Sequence, residues 1–205
     1  MTCSELTICT LCVQVNLDGY ALPIKKLKGT EPVESLDLSF KNLGVASAIV
    51  IASLISINGS LTELSIYGNH VGGEGVRAIC EAIQSNKETK LTSLNFGDNE
   101  IGPVGANAVA AMVAVTGSLT KLLLAENELE EEGTKAICEA LEQNTTLKEL
   151  DISGGWRASN IGGPAGVKHV AKMLGVNGAA DQNVVRFATN KLERIWALLP
   201  APMRE

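Results

Sequence analysis

The sequence has few aromatic residues and few histidines. Aromatic residues make up 3% of its 205 residues, and it contains two histidines, His70 and His169. We find no Cys, Asp or Glu beside either histidine at a spacing that suggests metal ligands. The glycine-rich segment 72–75 is not followed by Gly-Lys-Ser/Thr, so a phosphate loop is not indicated. The sequence therefore predicts no metal, no cofactor and no enzymatic activity.

A surplus of positive charge is also absent. The chain carries 17 Lys and Arg residues against 23 Asp and Glu residues, which gives a formal net charge of −6. Proteins that bind nucleic acids present a basic face to the phosphates. No nucleic-acid partner is therefore predicted.

No hydrophobic run has the length of a membrane span. The apolar run at residues 43–57 has 15 residues, whereas a spanning helix needs about 20. The N-terminus has no cationic region, and Glu5 lies where a secretory signal would have Lys or Arg. We therefore expect no membrane span, no secretory signal and a cytoplasmic location.

What the sequence does contain is a block that recurs five times. Its pattern is L-x-x-L-x-L-x-x-N-x-[LIV], followed by Gly-x-x-Gly and a helical stretch. Full copies begin at Leu61, Leu91 and Leu119, and looser copies begin at Val33 and Leu147, with spacings of 28, 30, 28 and 28 residues. Repeats of this length stack into a solenoid, because one unit cannot bury its apolar face alone.

Each block predicts a short strand, a turn and a helix. In the second copy, Leu64 and Ile66 alternate with polar residues, which is the period of a strand with one buried face. Asn69 follows in a turn, where its amide can bond unpaired backbone groups and form a ladder from repeat to repeat. Apolar residues then recur at helical spacing. We therefore predict an α/β solenoid with parallel strands on the inside and helices on the outside.

The cysteines fit this repeat better than they fit a chemical site. There are five, an odd number that favours a reducing compartment. Cys80 and Cys138 occupy the same helical column, which predicts two small buried side chains. Cys9 and Cys12 form a C-x-x-C pair without a second pair to complete a zinc site, so a capping strand is favoured over a redox or metal role.

The five copies resemble leucine-rich repeats of the ribonuclease-inhibitor type over about residues 33–178. This resemblance implies a short right-handed horseshoe arc that binds a protein through its concave face or its edge. We expect residues 1–32 to form an N-terminal cap. Residues 179–205 are expected to form a decayed sixth repeat and a C-terminal capping helix, in which Trp196 covers the last coil or, alternatively, contacts a partner.

Residues that alternate with the buried leucines are expected to point into the concave face. Their charges are mostly acidic, which favours a protein partner with a basic patch, whereas the alternative is an ordinary solvated sheet face. Leu123 is predicted to be an exposed apolar residue, and Tyr67 is the one aromatic residue of the face. The candidate binding residues on this face are Asp37, Glu63, Tyr67, Asn95, Lys121, Leu123, Glu149 and Asp151.

Two copies depart from the pattern. The first has Lys41 at the Asn position, and the fifth has Gly155 there and reaches Asn160 only after five extra residues. This insertion carries Trp156 and Arg157, which are residue types common at binding hot spots. We predict that both contact the partner, although Trp156 shielding the widened coil is an equal alternative.

The resemblance implies a non-catalytic interaction module or a subunit of an assembly. A first alternative is a GTPase-activating regulator similar to Ran GTPase-activating protein, although the acidic tail expected of such a protein is missing at residues 201–205. A second alternative is the recognition segment of a larger NOD-like sensor.

Overall fold

The computed structural model describes residues 14–154 and 160–176. An N-terminal hairpin and short helix come first, and five strand–helix pairs follow. The elements are β1 (Gln14–Leu17), β2 (Tyr20–Pro23), α1 (Ile24–Lys28), β3 (Ser35–Asp37), α2 (Val45–Ile55), β4 (Glu63–Ser65), α3 (Gly72–Ser85), β5 (Ser93–Asn95), α4 (Gly102–Val115), β6 (Lys121–Leu123), α5 (Glu130–Leu141), β7 (Glu149–Asp151) and α6 (Gly163–Val176).

The five repeat strands form one parallel sheet in chain order, β3 to β7. Each strand has three residues because the turn that follows comes at once, and the repeat period places equivalent residues side by side. The middle residue of every strand is a buried leucine, and these are Leu36, Leu64, Leu94, Leu122 and Leu150. The predicted α/β solenoid and its register are therefore confirmed.

The helices pack in sequence against one another on the other side of the sheet. Small residues at the helix starts let neighbours approach closely: a Cβ added to Gly75 would lie 2.7 Å from the Ala48 Cβ. Cys80 and Cys138 are both buried, as predicted. Burial raises the pKa of the Cys80 thiol, and it raises that of Cys138 to about 12, so neither is an activated nucleophile.

An asparagine ladder closes the edge at which each strand leads into its helix. The Asn69 amide donates to the Leu38 and Ile66 carbonyls, and its Oδ1 accepts the N–H groups of Lys41 and Leu43. The equivalent residues of the next three repeats are the buried Asn99, Asn127 and Asn160. Asn160 therefore restores the ladder after the insertion.

A second asparagine ladder closes the opposite edge, at which each helix leads into the next strand. The Asn86 amide donates to the carbonyls of Ile55 and Asn58, and the Asn58 amide donates to that of Leu27. Asn144 does the same with a carbonyl of the preceding repeat. Thr116 interrupts this ladder, because its hydroxyl donates to Met112 of its own helix.

The N-terminal hairpin is attached to the first repeat by Asp18. Its carboxylate accepts hydrogen bonds from the Gly44 N–H at 2.8 Å and from the Ser47 hydroxyl at 2.6 Å, at the start of α2. The predicted division into caps and repeats stays a prediction, and the expected C-terminal cap with Trp196 lies outside the described residues, as do Cys9 and Cys12. Among the helices that the structure describes, none has the length and apolar character needed to cross a bilayer.

Candidate functional site

The first and third residues of the five strands point away from the helices and form a surface that we call the strand face. The sheet register arranges these residues in two rows. The first row consists of Ser35, Glu63, Ser93, Lys121 and Glu149. The second row consists of Asp37, Ser65, Asn95, Leu123 and Asp151. All seven of the candidate binding residues that lie in strands therefore share one surface.

Three candidates in the second row also hold a turn. The side-chain oxygens of Asp37, Asn95 and Asp151 each accept the N–H of the residue two positions later, at 2.9–3.0 Å. The Ser39 side chain and then its N–H hold the pKa of Asp37 below its ordinary value. Since Asn95 makes the same bond as the two aspartates, the turn requires the oxygen and not the charge. Sequence reasoning missed this structural role.

The first row contains one ion pair. Lys121 Nζ lies 3.3 Å from Glu149 Oε1, one strand away in register. Glu63 is exposed, and in the part of the chain that the structure describes it forms no ion pair. The carboxylate most available to a partner in this row is therefore that of Glu63.

Leu123 lies in the middle of the second row, between Asn95 and Asp151. The sequence predicts an exposed side chain here, but Leu123 is half-buried, because the two neighbouring strands cover its flanks. Its outer part still leaves an apolar spot in an otherwise polar row.

Tyr67 follows β4 and pairs with an aromatic residue that the sequence analysis overlooked. Its ring meets that of Phe40 edge to face, with centroids 5.1 Å apart. Phe40 is 70% exposed although it is a large apolar residue. Phe40 lies after β3, two residues beyond the buried Leu38, where the alternating pattern has already ended, so periodicity gave no reason to select it.

Acidic residues line the connections from strand to helix, which we call the strand-to-helix edge. In the third and fourth repeats an acid stands on each side of the buried ladder asparagine, and a further glutamate begins α5. All are exposed, and all have a positive φ of 52° to 58°. They are Asp98, Glu100, Glu126, Glu128 and Glu130. The recurring acid-Asn-acid triplet was the signal in the sequence that could have identified them.

Each histidine lies beside a glutamate of another repeat. His70 Nδ1 is 3.2 Å from Glu100 Oε1, and His169 Nε2 is 3.6 Å from Glu131 Oε1. These glutamates are 30 or more residues away from the histidines in the chain and meet them only through stacking, so spacing in the sequence indicated neither contact. Among residues 14–154 and 160–176, no group of three or more His, Cys, Asp or Glu side chains is placed to hold a metal ion.

The two remaining candidates, Trp156 and Arg157, lie outside the described residues. Their flanks are described: Asp151 ends β7, and Asn160 rejoins the ladder with its amide donating to Leu124 and Ile152 carbonyls. The insertion therefore begins and ends on the strand-to-helix edge. That Trp156 and Arg157 contact a partner stays a prediction.

Comparison with known proteins agrees with this geometry. A family model described as Leucine Rich repeat matches residues 58–80, 87–110 and 143–156. Mouse ribonuclease inhibitor is 32% identical over 119 residues, which are 58% of this chain and 26% of that protein. Human NACHT, LRR and PYD domains-containing protein 13 is 30% identical over 121 residues, which are 59% of this chain and 12% of that protein. The chain therefore spans a small part of these relatives.

Solved structures support the same fold. The Leiomodin-1 Actin-Binding Site 2 structure has a TM-score of 0.61 at 18% identity, with 76% of this chain and 87% of that chain covered. The tropomodulin C-terminal domain of Caenorhabditis elegans has a TM-score of 0.58 at 14% identity, with 75% and 90% covered. At these identities the likeness concerns the fold alone. The in-register repeats, the matching family model and these relatives together show that the chain contains leucine-rich repeats similar to those of ribonuclease inhibitor.

Proposed function

We propose that this chain is a non-catalytic protein-binding module that takes its partner on the strand face. The observation that carries the proposal is the register of β3 to β7, which places ten polar, small or half-buried side chains on one continuous surface. The opposite side of the sheet is occupied by the core leucines, so this is the side that a partner can reach. Repeat solenoids use such extended surfaces for binding.

The charge of this surface favours a partner with a basic patch. Asp37, Glu63 and Asp151 carry negative charge on the strand face, and Lys121 is already paired with Glu149. The acids of the strand-to-helix edge add further negative charge. Complementary charge increases the association rate and orients the partner. We propose that Trp156 and Arg157, in the insertion on the same edge, extend this contact.

The test is capture of partners from native lysate by cross-linking and mass spectrometry, with the wild-type chain and two variants. The first variant, Glu63→Lys with Leu123→Glu, changes the strand face without touching a turn bond. The control, Glu139→Lys with Ala111→Glu, makes the same two changes of charge at exposed positions of the outer helices. We expect the first variant to lose partners that the control retains. Equal capture by both variants would exclude the strand face.

The aspartates of the face need a milder change. Asp37→Asn with Asp151→Asn removes two charges but keeps the oxygen that accepts the turn N–H, as Asn95 shows. We expect weaker capture with an unchanged melting temperature. Unchanged capture would show that these two charges do not contribute.

Two more specific functions remain as alternatives. One is a recognition segment of a larger sensor, which the identity to human NACHT, LRR and PYD domains-containing protein 13 supports. The other is regulation of a small GTPase. A defined panel tests these alternatives: binding of ribonuclease, actin and several small GTPases is measured, and GTP turnover is measured with the GTPases. Stimulated turnover would favour the GTPase regulator over the non-catalytic module.

A further inference from the structure

A pair of aromatic rings, the exposed Phe40 and the half-buried Tyr67, lies where the strand face meets the strand-to-helix edge. Phe40 is 70% exposed, and its ring contacts Tyr67 edge to face at an interplanar angle of 85°. Aromatic residues are enriched at protein–protein interfaces relative to the rest of the protein surface. The core does not account for the position of Phe40, because its ring lies outside it.

The backbone of the neighbouring repeats holds both rings in place. A Cβ added to Gly68 would lie 2.6 Å from Phe40 Cδ1, and a Cβ added to Gly97 would lie 2.8 Å from Tyr67 Cδ2. Each ring therefore rests on a glycine of the next repeat, where any side chain would displace it. A surface that is ordered before binding loses less conformational entropy when a partner arrives.

Carboxylates continue the same column of the stack. The N–H groups of Phe40, Gly68, Asp98 and Glu126 each donate to a carbonyl of the next repeat at equivalent positions. Burial, and then the charges of Glu126 and Asp98, raise the pKa of Tyr67 above its ordinary value, so the two carboxylates lie near enough to act on its hydroxyl group. Neither forms an ion pair with any residue in 14–154 or 160–176.

Lys41 follows Phe40 in the sequence, but its ammonium group lies over a different aromatic ring. Lys41 Nζ lies 5.5 Å from the centroid of the Tyr20 ring, on the N-terminal hairpin. Among residues 14–154 and 160–176, no cation is placed over the aromatic pair or paired with Asp98 or Glu126, so these groups are open to a cation from outside this part of the chain. An apolar group of the partner could pack against the rings, but it would leave the negative charges of Asp98 and Glu126 unpaired.

We propose that Phe40, Tyr67, Asp98 and Glu126 form a docking point for an arginine side chain of the partner protein. This rests on the protein-binding function proposed above and names the chemistry of the partner. A guanidinium is planar, so it stacks on an aromatic ring while its N–H groups donate to carboxylates at its rim. A lysine ammonium is compact and strongly hydrated, and it fits this combination less well.

The experiment uses the full chain and three blocked pentapeptides, Gly-Arg-Gly-Arg-Gly and its lysine and citrulline counterparts. Citrulline has the shape of arginine without its charge. Binding is followed by NMR from the Tyr67 ring signals, which are simple to assign because the chain has two tyrosines. We expect saturable shifts with the arginine peptide, weaker binding of the lysine peptide by about two- to fivefold, and no shift with citrulline.

Two variants test the residues. Phe40→Leu keeps an apolar group but removes the ring, and we expect a loss of about two- to fivefold in affinity for the arginine peptide. Asp98→Asn with Glu126→Gln removes both charges, with an expected loss of about two- to tenfold. The control Glu130→Gln with Glu132→Gln removes the same charge further along the edge. At about 150 mM salt, where the Debye length is about 8 Å, it should retain wild-type affinity.

Equal binding of the three peptides, or an equal loss in the control and in the Asp98/Glu126 variant, would overturn the proposal. The wild-type comparison of arginine with citrulline stands even if Phe40→Leu fails to fold. We expect the Glu63→Lys with Leu123→Glu variant to lose capture of partners from lysate but to retain binding of the arginine peptide. A failure of the arginine docking point can therefore be told apart from a failure of the proposed protein-binding function.

Discussion

The two edges of the solenoid are held by the same device but differ in backbone strain and charge. Each edge has a ladder of asparagines whose amides donate to carbonyls of the preceding repeat. The strand-to-helix edge contains the non-glycine residues of positive φ that lie in the repeats, and in the described part of the opposite edge there are none. The acids Asp98, Glu126 and Glu130 are among them. The strand-to-helix edge therefore combines strain with a series of acids. The described connections of the opposite edge have no such strain, and their acids Glu88 and Glu142 are accompanied by Lys87, Lys90 and Lys148.

The difference follows from the direction of the turn. After a three-residue strand the chain must reverse within a few residues, and alternate residues adopt the left-handed conformation to do so. The second repeat places Gly68 and Gly72 at two of these positions, where the fourth has Glu126 and Glu130. A non-glycine residue in this conformation costs about 1–2 kcal/mol. Residues kept in such a conformation are often functional, and these glutamates display charge that glycine cannot.

The largest expected effect is on the ladder of the strained edge. Asn127 is fully buried, its amide donates to the Phe96 and Ala125 carbonyls, and its Oδ1 accepts the Asn99 N–H. Asn127→Ala leaves these groups unpaired, and we expect a loss of about 2–5 kcal/mol in the free energy of unfolding. Urea denaturation measures it. The matched change on the opposite edge, Asn144→Ala, should cost less because Asn144 is half-buried; equal losses would contradict the comparison.

Substitution by glycine tests the strain of the positive φ angles. Glu126→Gly and Glu130→Gly should each raise the free energy of unfolding by about 0.5–1.5 kcal/mol, because the left-handed penalty exceeds the added entropy of the unfolded chain. The control is Glu132→Gly in the first turn of α5, which should lower it by about 1 kcal/mol. Thermal melts of the three variants measure the difference. The same sign for all three would show that the positive φ is not the cause.

The beginning of the strained edge depends on a carboxylate of the hairpin. Asp18 accepts the Gly44 N–H as a cap for α2, and Asp18→Ala should cost about 0.5–2 kcal/mol. The Ser47 side chain, followed by the Gly44 N–H, lowers the pKa of Asp18 in the folded chain. The contribution is therefore present above the unfolded pKa of about 3.9 and is lost as the pH falls through the lower folded value.

This sign is checked by unfolding the wild type and Asp18→Ala between pH 2 and 6. The stability difference should shrink toward the acidic end of that range. A difference that stays constant or grows on acidification would exclude the carboxylate as the cap.

The smallest effect concerns the unstrained edge, where Thr116 breaks the ladder. Thr116→Asn supplies an amide at the position of Asn86 and Asn144, which donate to carbonyls of the preceding repeat. We expect a gain of about 0.5–1.5 kcal/mol, the usual net contribution of a hydrogen bond. Urea denaturation again measures it, with Thr116→Ser as the control that keeps a hydroxyl. No gain over the control would show that this edge needs no continuous ladder.

Much of the fold was predictable because the same apolar spacing and the same asparagine position recur in the repeats. Leu64, Asn69 and Cys80 were assigned to strand, ladder and helix core from period and spacing, and the structure confirms all three places. The half-burial of Leu123 and the His70–Glu100 contact were not predictable. Each depends on which residue of a neighbouring repeat stands beside it, and stacking sets that.

The sequence by itself determined the solenoid, its register and the polar character of the strand face, because apolar period and repeat length are local properties of the chain. Only the tertiary structure decided which side chains meet. Phe40 pairs with Tyr67, Lys121 with Glu149, and Asp18 with α2, in each case across 26 to 29 residues of chain. The first two contacts arise because the 28-residue coil brings neighbouring repeats side by side, and the third arises because the N-terminal hairpin packs on the first repeat. No pattern within one repeat contains them.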